Sequence, residues 1–82
     1  MTIKVEIFSR SGCHLCEVAE EVVREVKREV LFELQIILID GDKELENEYG
    51  EEVPITIING QRHDYFKVDR ARFKDAILRL HQ

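Results

Sequence analysis

Ile3-Lys4-Val5-Glu6-Ile7-Phe8-Ser9-Arg10-Ser11-Gly12-Cys13-His14-Leu15-Cys16-Glu17-Val18-Ala19 changes its rhythm once, and the change decides the fold. Ile3, Val5 and Ile7 alternate with Lys4 and Glu6, the period of a strand with one buried face, expected from about Thr2 to Phe8. Ser9-Arg10-Ser11-Gly12 is a turn-forming cluster that stops it. From Cys13 onward the apolar residues Leu15, Val18, Ala19, Val22, Val23, Val26 and Val30 recur at helical spacing, so a helix starts at the cysteines and buries one stripe. Its other face carries Glu17, Glu20, Glu21, Arg24 and Glu25, with Glu20 and Arg24 spaced as an i,i+4 pair.

The remaining chain extends this unit. Leu34 to Ile39 is nearly continuous in apolarity, as in a strand covered on both faces, and it ends at Asp40-Gly41-Asp42. Asp42 is placed to cap a short helix, Lys43 to Tyr49, with Gly50 as a left-handed terminal residue. Pro54 to Ile58 reads as a strand, and Asn59-Gly60 signals a tight hairpin into Gln61 to Phe66. Asp69 caps a last helix, with Val68 and Phe73 as its hydrophobic staple and Phe73, Ala76, Ile77 and Leu80 on its buried stripe. The order β-α-β-α-β-β-α contains one right-handed parallel crossover and one antiparallel hairpin. The expected fold is α/β, a mixed four-stranded sheet flanked by three helices.

Length and charge narrow the function. The 82 residues suit a single domain, 1–82, with one core and little room for a deep cavity, so the chemistry belongs at the surface. A net charge of −5, with no run of Lys or Arg, argues against nucleic acid and anionic lipid as partners. Ile36 to Ile39 is the longest stretch of aliphatic residues, far short of the ~18 residues of a membrane span, and the first residues alternate where a signal peptide would be apolar. A cytoplasmic protein, monomeric and free of membrane, is expected. Two cysteines cannot build the disulfide framework of a small secreted domain, yet only His14 and Leu15 separate them.

At the mouth of a helix, unpaired backbone N–H groups and the positive end of the helix dipole favour a thiolate over a thiol. Thiols so placed fall from about 8.5 to roughly 3.5–7.5, which makes Cys13 the candidate nucleophile. Cys16, one turn inward, is placed to attack a mixed disulfide on Cys13 and close a Cys13–Cys16 bond. Gly12 supplies the turn before the pair. His14 tunes it if its imidazole favours the Cys13 thiolate, but equally fits an exposed residue of a helix start. Leu15 either tunes the pair or belongs to the apolar stripe.

Ser11-Gly12-Cys13-His14-Leu15-Cys16 after a strand, an amphipathic helix behind it, and Tyr49-Gly50-Glu51-Glu52-Val53-Pro54 before a later strand resemble the thioredoxin-fold superfamily. The chain is most similar to small glutaredoxin-like proteins with a Cys-His-Leu-Cys motif, over essentially its whole length. The resemblance implies a thioredoxin-like fold and a redox-active disulfide that serves electron transport and cell redox homeostasis. It also implies a cis Pro54 against the cysteine pair, with the backbone of Val53 free to pair with an extended substrate. Arg10 matches a basic residue that glutaredoxins carry three positions before the first cysteine, where it meets a glutathione carboxylate. The pattern departs at Tyr65-Phe66-Lys67-Val68-Asp69, where glutaredoxins place a Gly-Gly pair and acidic residues for the γ-glutamyl end, and at Glu52, which replaces a threonine. Glutathione is therefore a possible reductant and no cofactor is required.

The leading reading is a dithiol-disulfide oxidoreductase acting on protein or small-molecule disulfides, recycled by a reductase or by glutathione. Two alternatives stay open: a carrier of a soft metal or subunit-bridged iron–sulfur cluster on the same thiolates, and a redox-sensitive interaction adaptor. No metal site is expected within one chain, because His63 and His81 have no partner at ligand spacing. Glu6 is a minor candidate for a proton relay to Cys16, and Tyr49 and Tyr65 fit packing roles with a polar tip.

Overall fold

The computed structural model describes residues 2–65 and 67–81. Its elements are β1 Lys4–Ser9, α1 His14–Lys27, β2 Glu33–Leu38, α2 Lys43–Tyr49, β3 Ile55–Ile58, β4 Gln61–Tyr65 and α3 Arg70–Leu80. The sheet order is β2-β1-β3-β4. β1 runs parallel to β2 and antiparallel to β3, and β3 pairs antiparallel with β4. This is the thioredoxin-like arrangement implied by the motif. Asn59 and Gly60, both at positive φ, form the expected hairpin turn. The expected end of β4 at Phe66 and a packing role for the Tyr65 side chain lie outside what is described. No helix among the described residues is long and apolar enough to cross a membrane.

Alternation along β1 builds two packed layers. Val5 and Ile7 point to one face, where Val23 and Val26 of α1, Ile58 of β3 and Phe73 and Ile77 of α3 join them in the main core. Phe32 and Phe73 meet edge to face at 5.7 Å. Phe8 points to the other face and stacks on Tyr49 at the end of α2, ring centroids 4.7 Å apart. A second, smaller cluster holds Cys16, Ile39 and Val53, with Phe8, Cys13, Leu45 and Tyr49 against it. Packing thus fixes the cysteine pair to both the sheet and the segment before β3.

Helix ends follow the sequence signals. Asp42 accepts from the amides of Glu44 and Leu45, and Asp69 from that of Arg72. Val68 packs against the main core that holds Phe73, consistent with a staple.

Five expectations are corrected. β1 starts two residues later and ends one later than expected, at Lys4–Ser9, because its ladder runs from the Lys4–Glu33 pair to the Ser9–Leu38 pair. α1 stops at Lys27, and Val30 enters the core from the turn that follows, where its amide bonds to the Val26 carbonyl. Leu15 and Val18 of α1 and Leu80 of α3 lie off the buried stripes and are exposed, since Cys16, Ala19, Val23 and Val26 define the inward face of α1 and Phe73 and Ile77 that of α3. β2 is not covered on both faces: it is an edge strand, Ile36 and Ile37 are half-buried and Leu38 is 57% exposed. Gly50 is right-handed, φ −53, because the chain carries on through a further turn in which its amide bonds to Glu46 and that of Val53 to Tyr49. A Cβ at Gly50 would strike the Glu46 carbonyl, so close approach, not handedness, is what glycine supplies there.

Candidate active site

The loop between β1 and α1 is held at both ends. Asp40, just past β2, accepts the Ser11 amide at 2.7 Å, and Arg10 donates through Nη1 to the Gly50 carbonyl at 3.0 Å. The Asp40 carboxyl is held below the usual range, first by the Ser11 hydrogen bond and also by the Arg10 charge. Gly12, φ +72, makes the left-handed step that delivers the chain into the helix.

Cys13 is the N-cap of α1. Its sulfur accepts the Cys16 amide at 3.2 Å, taking the place an oxygen usually fills at this position. Cys13 and Cys16 form a disulfide, with Cα atoms 5.2 Å apart. The two differ in access: Cys13 is half-buried, whereas Cys16 is 1% exposed. One sulfur therefore meets solvent and partners, and the other sits behind it in the small core.

The remaining candidates fall in three groups. Val53 packs with Cys16, and Pro54, buried, follows it through a cis peptide bond. Arg10 reaches the segment before Val53 through the Gly50 carbonyl. His14 and Leu15 face outward: the His14 side chain is 85% exposed with Nδ1 4.0 Å from Glu17 Oε2, and Leu15 is 52% exposed. Glu52, next to Val53-Pro54, pairs with Arg62 of β4. Glu6 lies half-buried on the Phe8 face of β1.

Sequence reasoning passed over Ser9 and Glu20. Ser9, read as part of a turn, is buried at the end of β1, and its hydroxyl donates to Glu20 Oε2 at 3.3 Å. Glu20, read as part of a solvent face, has only 19% of its side chain exposed and also holds the expected pair with Arg24, Nη1 to Oε1 3.7 Å. The available signal was the i,i+4 spacing of Cys16 and Glu20.

Two features lie away from the cysteines. A hollow of about 520 Å³ opens between the β3–β4 hairpin and α3, lined by Ile58, His63, Arg72 and Leu80 among others. His63 packs on Phe73 there, ring centroids 6.0 Å apart, and burial depresses its pKa, with the Arg72 charge adding to the effect.

Comparison with known proteins agrees with this geometry. The chain is 31% identical over 81 residues to an uncharacterized protein of Mycobacterium tuberculosis, covering 93% of this chain and 84% of that one. It is 38% identical over 63 residues to a probable thioredoxin of Methanothermobacter marburgensis, covering 73% and 74%. A solved structure from Nitrosomonas europaea superposes with a TM-score of 0.80 at 26% identity, covering 94% of this chain and 93% of that one. Residues 4–78 match the family described as Glutaredoxin-like domain (DUF836). A match over that much of its length shows that the chain belongs to the glutaredoxin-like domain family.

Proposed function

We propose that the protein is a dithiol-disulfide oxidoreductase in which Cys13 attacks and Cys16 resolves. The observation that carries this reading is the unequal pair at the helix mouth: a half-buried sulfur accepting the Cys16 amide, backed by a buried one. In the reduced protein the Cys13 thiolate attacks a substrate disulfide, forming a mixed disulfide and expelling one substrate thiolate. Cys16 then attacks Cys13, the bond from Cys13 to the substrate breaks, and the second substrate thiolate leaves. Two electrons have passed to the substrate, and the protein holds Cys13–Cys16.

The substrate class is an extended peptide disulfide or a small disulfide reaching the rim. The backbone of Val53 is only partly free, contrary to expectation, because its amide is bonded to the Tyr49 carbonyl; an extended chain laid along it would pair with the Val53 carbonyl beside the cysteines without a deep pocket. A reductase or glutathione would return the pair to dithiol in the cytoplasm, where such a protein would contribute to redox homeostasis. Glutathione would have to do without the Gly-Gly pair, and Arg10 is already engaged with Gly50.

Replacing Cys16 with Ser tests the reading, because it removes the resolving thiol and leaves the backbone amide on Cys13. Incubated with a peptide disulfide, Cys16→Ser should accumulate a one-to-one mixed disulfide through Cys13, seen as a mass adduct removed by dithiothreitol. Absence of that adduct while the reduced variant remains folded would overturn the proposal.

A further inference from the structure

We propose that the hollow between the β3–β4 hairpin and α3 binds a small carboxylate with an apolar body, with Arg72 and Arg79 as its anion contacts and Ile58, Ala76 and Leu80 as its apolar wall. The site is separate from the thiol chemistry and does not rest on it. Phe8 pairs with Ile55 near the cysteine end of β1, whereas Val5 pairs with Ile58, so the hollow opens at the far end of the sheet. Its volume of about 520 Å³ falls within the roughly 300–1,000 Å³ of small-molecule sites.

Two elements build it. On α3, Arg72, Asp75, Ala76, Arg79 and Leu80 recur at i, i+3, i+4, i+7 and i+8, a stripe beside the one that carries Phe73 and Ile77 into the core. Leu80 belongs to this second stripe, which accounts for an apolar side chain left exposed there. On β4, Ile57 pairs with Arg62 and Thr56 with Asp64, so His63 is an extra residue in the strand. A bulge of this kind re-aims side chains. The His63 ring packs on Phe73, and Asp64 also turns to α3 and meets Arg72.

Both guanidinium groups are held in place and still have donors to give. Arg72 uses Nη1 on Asp64 Oδ2 at 3.2 Å, and Arg79 uses Nε on Asp75 Oδ2 at 3.0 Å. Each fork keeps further N–H groups, in the plane that suits a carboxylate. Arg62, also in the lining, pairs with Glu52. These arginines are thus answered by Glu52, Asp64 and Asp75, so the hollow suits one negative charge on an apolar body better than a doubly charged phosphate.

His63 couples the site to pH. Its Nε2 is buried and has no hydrogen-bond partner among the described residues. From α3 it faces Phe73 and the Arg72 charge, with Asp75 and Arg79 on the same hollow; its own strand contributes Arg62 and Asp64, and β3 the apolar Ile58. Burial, then Arg72, hold the ring below its ordinary pKa, and Asp64 opposes them. A carboxylate bound in the hollow supplies negative charge that a protonated ring there needs. Binding therefore raises the pKa of His63, and by linkage affinity grows as pH falls through the raised value and levels off below the depressed one.

Benzoate is the probe, with benzamide as its uncharged counterpart and inorganic phosphate as the rival anion. Titrated into isotope-labelled protein and followed by amide NMR, benzoate should shift Ile58, His63 and Ala76 saturably, while Cys13 and Cys16 stay in place. Arg72→Gln and Arg79→Gln should each weaken binding on the order of tenfold, the loss of one hydrogen bond to a charged group. Binding to the parent should tighten about three- to tenfold from about pH 7.5 to about pH 6, and binding to His63→Phe should not change between them. Arg79 is exposed near the end of α3, so Arg79→Gln decides the matter even if His63→Phe disturbs the core. Absence of saturable shifts, benzamide binding as well as benzoate, phosphate binding more tightly than benzoate, or parental affinity in both arginine variants would overturn the inference. An affinity independent of pH in the parent would overturn the part assigned to His63.

Discussion

The Cys16 amide points at the Cys13 sulfur, 3.2 Å away, so the backbone of the resolving residue is also the cap that steadies the nucleophile. A negative sulfur at Cys13 gains from that donor and from the helix dipole, whereas Cys16 is enclosed by apolar side chains.

Selective alkylation should follow. In the reduced protein at pH 7, iodoacetamide should modify Cys13 at least about tenfold faster than Cys16, in keeping with the lowered thiol pKa of helix N-termini. Peptide mapping after a short pulse reads the ratio. Equal labelling, or labelling of Cys16 first, would contradict the assignment of nucleophile and resolving thiol.

The loop clamp should show in acid. Asp40 has its pKa lowered by the Ser11 amide and by Arg10, so it binds its proton less readily folded than unfolded. The resulting stability is fully present above the ordinary carboxylate value and is lost as pH falls through the lowered one. Asp40→Ala should therefore destabilise the protein at pH 7 and lose less than the parent on acidification to about pH 3. Urea unfolding at the two pH values measures this, and parallel losses in both proteins would count against the clamp.

His63 gives a second pH dependence in a different window. Burial depresses its pKa, so the unfolded chain takes up a proton first as pH falls from 7 toward 5. Its contribution to stability is complete above its ordinary value near 6.5 and declines as pH drops toward the depressed one. His63→Phe removes the titration and keeps an aromatic ring beside Phe73, so the fall in Tm between pH 7 and pH 5 should be smaller than in the parent. An unchanged slope would place that pH dependence elsewhere.

What could be read from residues alone follows from which interactions are local. The alternation of Ile3, Val5 and Ile7, the caps Asp42 and Asp69, and the Asn59-Gly60 turn are short-range signals, and each is found in the structure. The cysteines were legible for the same reason, since their spacing and helix-start position carry the chemistry. Sheet order is not local: Leu34 to Ile39 looks like a central strand by composition, yet among the described residues only β1 pairs with it, which leaves Leu38 exposed. Ser9 and Glu20, eleven positions apart, meet only once α1 folds back over β1.

The main core depends on α3 reaching the sheet, and Phe73 is its fully buried anchor, touching Phe32 and His63. Phe73→Ala should cost roughly 3–5 kcal/mol, the usual range for emptying a buried aromatic site. Against a typical total of about 5–15 kcal/mol, this is a large share for a chain so short. Equilibrium unfolding checks it, and a loss below about 1 kcal/mol would mean that α3 is not part of the cooperative core.

Leu15 and Val18 are one helical turn apart, exposed, and beside the nucleophile, so they offer an apolar ledge at the rim of the site. Burying two such side chains under a substrate would contribute at most about 1.5–3 kcal/mol each. The double variant Leu15→Ser, Val18→Ser should lose little stability, since exposed positions away from caps and cores usually lie within about 0.5 kcal/mol each. Its reaction with dithiodipyridine should stay near the wild-type rate, because that disulfide is too small to cover the ledge. Reduction of a peptide disulfide with apolar flanking residues should show a KM raised about tenfold or more, the equivalent of about 1.4 kcal/mol of lost binding. Equal effects on the small and the peptide disulfide would mean that the substitutions disturb the thiols themselves and that the ledge does not hold substrate.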